Sequence, residues 1–199
     1  MELIAEDLAD MDHPDARRLA QKVSVVERQC TRLESLLNDF LRLTRLNRLE
    51  LVAGSLNALL EQVLDFFEAD AQHRNVEIVR YLDGDLPIIK MDKQTLQAAL
   101  QNMVKNSMEA MSDGGQLVVR TRMMRSGVAV DLIDTGQGIG SSTLIKMFEP
   151  FYTTKDSGSG LGLPMAKKVI EAHGGVINVQ SEEGRGTQFT IEFPVPKRL

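Results

Sequence analysis

Three groups of residues in this 199-residue chain have the types and spacing to handle a phosphorylated ligand. Asn102 and Asn106 lie four apart, hence on one face of a helix, among the apolar Leu96, Leu100, Met103 and Val104. Neutral amides at that spacing either cap a neighbouring loop or offer oxygen to a hard cation, and Mg²⁺ bound through phosphates takes few protein ligands. In VAVDLIDTGQGIG (128–140) an apolar strand delivers Asp134 to its end, and Gly136 and Gly138 then let backbone approach a ligand closely. An ionised carboxylate only accepts hydrogen bonds, which suits adenine's amino group and rejects guanine's carbonyl. The competing reading is a turn closed by the Asp side chain itself. The third group is TTKDSGSGLGL (153–163), in which Lys155 offers a point charge and the glycines open a helix whose first N–H groups are unpaired. Its glycine spacing excludes two common phosphate loops. Leu163 stands where GxxxxGK[ST] needs Lys, and Gly158, Gly160 and Gly162 are too closely spaced for GxGxxG.

These residues need elements to position them. The pattern predicts helices over Ser55–His73, Lys93–Met111 and Leu161–His173, the last stopped by Gly174-Gly175. It predicts strands at Val76–Leu82 and Pro87–Met91 around Asp83-Gly84-Asp85, and hairpins from Gln116–Arg125 with Gly127–Asp134 and from Val176–Ser181 with Thr187–Phe193. Three helices beside an antiparallel-rich sheet define an α+β fold, a two-layer α/β sandwich, and exclude the doubly wound parallel folds. FEPFY (148–152), with apolar anchors before a polar glycine-rich stretch, reads as the hinge of a lid.

Upstream lies a long helical segment. From Ala16 to about Asn47 there is no Gly or Pro, and Leu19, Val23, Val26, Cys30, Leu33, Leu37 and Phe40 form a heptad seam. Such a seam predicts a homodimer through the long helix; the other solution is packing against the helix's own domain. A formal net charge of -5 argues against a nucleic-acid partner. The single Cys30 fits a reducing compartment. The chain lacks both an apolar run of spanning length and a signal peptide. The expected location is cytoplasmic, with no membrane contact by this segment, although a parent protein could be membrane-anchored.

NMVKNSMEA (102–110), DTGQGIG (134–140), FEPFYTTK (148–155), GSGLGL (158–163) and the closing AHGGVINVQSEEGRGTQFTIEFP (172–194) occur in order. Together they resemble the catalytic and ATP-binding domain of sensor histidine kinases, in the GHKL ATPase superfamily, over residues 50–196. The preceding helix resembles the second arm of that family's dimerisation and phosphotransfer hairpin. The implied division is 1–49 for the truncated hairpin and 50–199 for the ATP-binding domain. The resemblance implies ATP and Mg²⁺, with Asn106 as metal ligand and Asn102 beside the phosphates; with Lys155 these form the catalytic set. Asp134 would read adenine, supported by Gly136, Gly138, Ile139 and Thr187. Thr153, Thr154, Lys155, Gly158, Ser159, Gly160, Leu161, Gly162 and Leu163 would hold the phosphate tail. Where many relatives carry a basic residue, three positions after the magnesium asparagine, this chain has Glu109, and Lys105 is the candidate substitute.

Hydrolysing members of the superfamily carry glutamate at the position of Asn102. An amide cannot take a proton from water, so Asn102 favours transfer to a protein group. The expected function is phosphoryl transfer to a histidine, for relay to a response regulator. His13, His73 and His173 all lack the family's acceptor context, so the acceptor is expected upstream of Met1, in a longer kinase. The alternative is a short ATP-binding kinase, or an anti-sigma-like regulator, acting on a separate protein.

Overall fold

A computed structural model of the chain describes residues 19–20, 22–27, 29–30, 49–155 and 158–195. The described positions among 19–30 are helical, and Leu19 and Val26 of the seam are each 48% exposed. Leu33, Leu37 and Phe40, the bend at His13 and the proposed 1–49 boundary fall largely outside the described residues, and with them the helix pairing.

From Val52 onward the chain folds into a layer of helices on a five-stranded sheet. Helix α1 (Leu56–His73) starts where the Ser55 hydroxyl accepts from Ala58 N–H at 3.2 Å. It buries the stripe Leu56, Leu59, Leu60, Val63, Leu64, Phe67 and Ala71. Helix α2 (Lys93–Ala110) starts at Asp92, whose carboxylate accepts from Thr95 N–H at 3.1 Å, and buries Leu96, Leu100, Met103, Val104 and Met108. A short α3 (Ser141–Lys146) follows, and then α4 (Gly162–Ala172). The strands are β1 (Val52–Gly54), β2 (Val76–Tyr81), β3 (Ile89–Met91), β4 (Gly115–Met123), β5 (Gly127–Asp134), β6 (Val176–Glu182) and β7 (Gly186–Pro194). The main sheet runs β2-β4-β5-β7-β6. Its central strand β5 is buried almost throughout, because helices cover one face and charged side chains the other.

The two-layer α/β sandwich is as expected, with two differences. The strands flanking Asp83-Gly84-Asp85 do not pair with each other. β2 pairs in parallel with β4, with α2 in the crossover that a parallel pair requires, while β3 pairs antiparallel with β1 in a separate two-stranded sheet. Local bonds explain the divergence. Asp83 N–H donates to the Thr121 hydroxyl at 2.9 Å, Asn57 Nδ2 donates to Asp83 O at 2.7 Å, and Pro87 has no N–H for a ladder. The other difference is the presence of β1 and α3, of three and six residues, too short to register a period in sequence.

His173 is a structural residue. Its Nε2 accepts from Asp92 N–H at 2.9 Å and its Nδ1 donates to Val169 O at 2.7 Å, tying the end of α4 to the start of α2.

Candidate functional site

The buried stripe of α2 turns its other side, with Asn102, Lys105, Asn106 and Glu109, toward a cleft of about 820 Å³, within the range of ligand pockets. Among the described residues no helix is long and apolar enough to cross a membrane. Nor do they include a group of three or more His, Cys, Asp or Glu able to hold a metal.

One end of the cleft is set by Asp134, only 3% exposed at the end of β5. Its Oδ1 accepts from the N–H groups of Gly136 and Thr187, each at 3.1 Å. Burial pushes the carboxyl above its ordinary range, and the bonds from the Gly136 and Thr187 N–H groups oppose that rise without cancelling it. The turn after Asp134 packs on backbone at both sides. Gln137 N–H donates to Ala110 O at 3.0 Å, and Gly184 N–H donates to Gln137 O at 2.7 Å. Gly138 has φ +69, and a Cβ there would stand 2.1 Å from Glu182 O, so only glycine fits. Ile139 N–H donates to the Ser181 hydroxyl at 2.8 Å, and that hydroxyl lies 3.0 Å from Thr187 Oγ1.

The other end is lined by Tyr152–Lys155 and by Gly158–Gly160, ahead of α4. Phe151 (φ +68) donates its N–H to Gly160 O at 3.0 Å, and Gly160 itself has φ +69. Two left-handed residues joined by one bond make the corner on which the glycine loop turns. The Tyr152 hydroxyl lies 3.2 Å from Thr143 Oγ1, so α3 braces the near side. Lys155 N–H bonds the Thr153 hydroxyl at 3.1 Å, and its ammonium reaches across the cleft to α2. There it donates to Asn106 Oδ1 at 3.2 Å and forms an ion pair with Glu109. The start of α4 lies against the same asparagines: a Cβ on Gly162 would be 3.9 Å from Asn102 Cγ and 3.9 Å from Asn106 Nδ2.

The fold gathers the residues singled out in sequence around one cleft, except for two. Gly136 does not line it; a Cβ there would stand 2.6 Å from Ala110 O, so the residue serves the packing of the turn on α2. Leu161 is buried, and its N–H meets the Ser159 hydroxyl at 3.3 Å. Thr153, Thr154, Gly158, Ser159, Gly160 and Leu163 line the loop side, and Gly138, Ile139 and Thr187 the Asp134 side. Sequence reasoning did not single out Ser107, Gln137, Thr143 or Glu183, which also line the cleft. Ser107 is next to Asn106 on α2 and carried a readable signal, as a small hydroxyl in an otherwise apolar stripe.

A buried carboxylate at one end, and amides, an ammonium and a helix start at the other, line one cleft on a two-layer sandwich. The chain belongs to the family described as histidine kinase-, DNA gyrase B-, and HSP90-like ATPase, whose model matches residues 91–197. It is 34% identical over 181 residues to the sensor histidine kinase ZraS of Escherichia coli K12, an alignment covering 91% of this chain and 38% of that protein. The chain thus spans less than two fifths of that relative's length. Among solved structures, the catalytic domain of histidine kinase ThkA matches with a TM-score of 0.67 at 32% identity, covering 73% of this chain and 96% of that one. Histidine kinase ThkA in complex with the response regulator protein TrrA matches with a TM-score of 0.76 at 26% identity, covering 98% of this chain and 58% of that one.

Proposed function

We propose that this chain is the catalytic part of a sensor histidine kinase, which binds Mg–ATP in the cleft and passes the γ-phosphoryl group to a histidine. The observation that carries the reading is the convergence of Asp134, the Asn102–Asn106 pair and Lys155 on one cleft. Asp134 accepts from the adenine amino group, and Gly138, Ile139 and Thr187 surround the base. Lys155 and the loop from Thr153 to Gly162 hold the phosphates, and Asn106 offers its amide oxygen to Mg²⁺, with Lys105 at the rim. The cleft fits such a cation because Asn106 Oδ1 already receives a positive charge, the Lys155 ammonium. When bound, Mg²⁺ neutralises charge on the phosphate oxygens.

In transfer, the bond from the γ-phosphorus to its bridging oxygen breaks, a bond to an imidazole nitrogen forms, and ADP leaves. Asn102 holds its position without accepting a proton, so water beside the phosphate is not activated. His173 is not the acceptor in this reading, since both its ring nitrogens are engaged. The acceptor belongs instead to a hairpin paired through the long helix in a cytoplasmic homodimer, and the phosphoryl group passes on to a response regulator. The ThkA complex with its regulator supports that last step by similarity. Titration calorimetry with ATP and GTP in the presence of Mg²⁺ tests the reading. Saturable ATP binding with much weaker GTP binding is expected, and absence of saturable ATP binding overturns it.

A further inference from the structure

Glu109 lies one helical turn from Asn106 on the same face of α2. The Lys155 ammonium sits between the two side chains, donating to Asn106 Oδ1 at 3.2 Å and pairing with the Glu109 carboxylate. The second Glu109 oxygen faces Lys105 Nζ at 3.9 Å. A cation is therefore already seated between an amide oxygen and a carboxylate oxygen, inside the cleft. Both groups are hard oxygen ligands of the kind magnesium takes, and one or two of them suffice when phosphates supply the rest.

Resting on the function proposed above, we propose that Glu109 is a second protein oxygen for the divalent cation that accompanies ATP, acting directly or through a bound water. The Lys155 ammonium holds that seat when no nucleotide is present. A monovalent ammonium and a divalent metal cannot share one seat, because like charges at contact repel strongly in a half-buried cleft. Arrival of Mg–ATP then exchanges them. Asn106 and Glu109 would then hold the metal with their oxygens, and Lys155, on its flexible stem, would turn to the phosphates. Glu109 thus makes the site select for metal-bound nucleotide over free nucleotide: the carboxylate attracts the metal complex and repels bare phosphate.

The test compares ADP binding with Mg²⁺ and with a chelator, by calorimetry on the whole chain, in wild type, Glu109→Gln and Lys155→Met. The readout is the ratio of the two affinities. Mn²⁺ in place of Mg²⁺, followed by electron paramagnetic resonance of the metal, gives a second readout independent of activity. Both substitutions break the same ion pair, and thermal melts check that both variants fold. Glu109→Gln should reduce the metal enhancement about tenfold, with affinity in chelator unchanged or higher. Lys155→Met should raise the enhancement, because the metal no longer competes with the ammonium, although overall affinity drops. If both variants shift the ratio the same way, or Glu109→Gln leaves it at the wild-type value, Glu109 only positions Lys155 and the proposal fails. Failure of wild type to bind ADP under either condition would instead count against the nucleotide reading itself.

Discussion

The backbone N–H of Thr187 donates to Asp134 Oδ1 at 3.1 Å, so the start of β7 fixes the carboxylate at the end of β5. The N–H of Gly136 falls on the same oxygen, which leaves acceptor capacity on Oδ2. Replacing Asp134 by Asn keeps an acceptor but removes the charge and adds a donor. Adenine nucleotide affinity should fall by about 1.5–3 kcal/mol, as for a lost charged hydrogen bond. Calorimetric titration with ADP checks this; unchanged affinity would remove Asp134 from adenine recognition.

The pH dependence of binding follows from the same burial. The Asp134 carboxyl is held above its ordinary range by desolvation, so in the window between its unfolded and folded values the native state binds more protons. Asp134 therefore lowers the stability of the empty protein as pH rises through that window. Adenine recognition needs the ionised form, so nucleotide affinity should fall as pH drops through the raised value, and this loss should vanish in Asp134→Asn. Titrations at a series of acidic pH values measure it.

Asp131, on the outer face of β5, contributes with the opposite sign. It is 0% exposed, and burial opposes its ionisation. Bonds from Arg122 at 3.1 Å, Thr190 at 2.8 Å and Arg120 at 2.8 Å outweigh that and hold the carboxyl below its usual range. The stability it supplies is present above the unfolded carboxylate value and lost as pH falls through the folded one. Asp131→Ala should cost about 1–3 kcal/mol at neutral pH, since the half-exposed arginines can return to water, and should flatten the loss of stability in acid. Denaturant melts at neutral and acidic pH test both parts.

Gly160 turns the chain ahead of α4 at φ +69, where a Cβ would stand 2.5 Å from the Phe151 carbonyl carbon. Gly160→Ala should cost at least about 1–2 kcal/mol locally. Because Lys155 and Thr153 are carried by the same segment, ATP affinity should weaken with little change in the melting of the sandwich. A fall in melting temperature with affinity intact would mean that the corner matters to the core and not to the cleft.

Much of this arrangement was legible in the residues because it is local. The apolar stripes of α1 and α2 and the strand ending on Asp134 each announce themselves within a few positions. The cleft was legible as a set of motifs, because close backbone approach demands glycine at Gly138 and Gly160. What was hidden depends on distant partners. Lys155 and Glu109 are 46 positions apart, and only the fold brings the Lys155 segment onto α2 to pair them. The parallel pairing of β2 with β4 likewise depends on α2 lying between them in sequence. β1 and α3 are too short to show a period. Ser181, which bonds the Ile139 N–H, sits in a strand whose alternation gives no hint of the turn it supports.

The central claim is transfer of phosphoryl from ATP to histidine, and the most direct measurement is labelling with γ-labelled ATP. The chain is incubated with Mg²⁺ and the labelled nucleotide, alone and with a hairpin carrying a histidine acceptor from its own parent protein. The account predicts essentially no label on the chain alone and strong label on the supplied hairpin. That label should be labile in acid and stable in base, and absent when Asn106→Ala replaces the wild type. Acid-stable label on a serine of a separate protein, or stable acid-labile label on the chain alone, with His13 the first suspect, would contradict it.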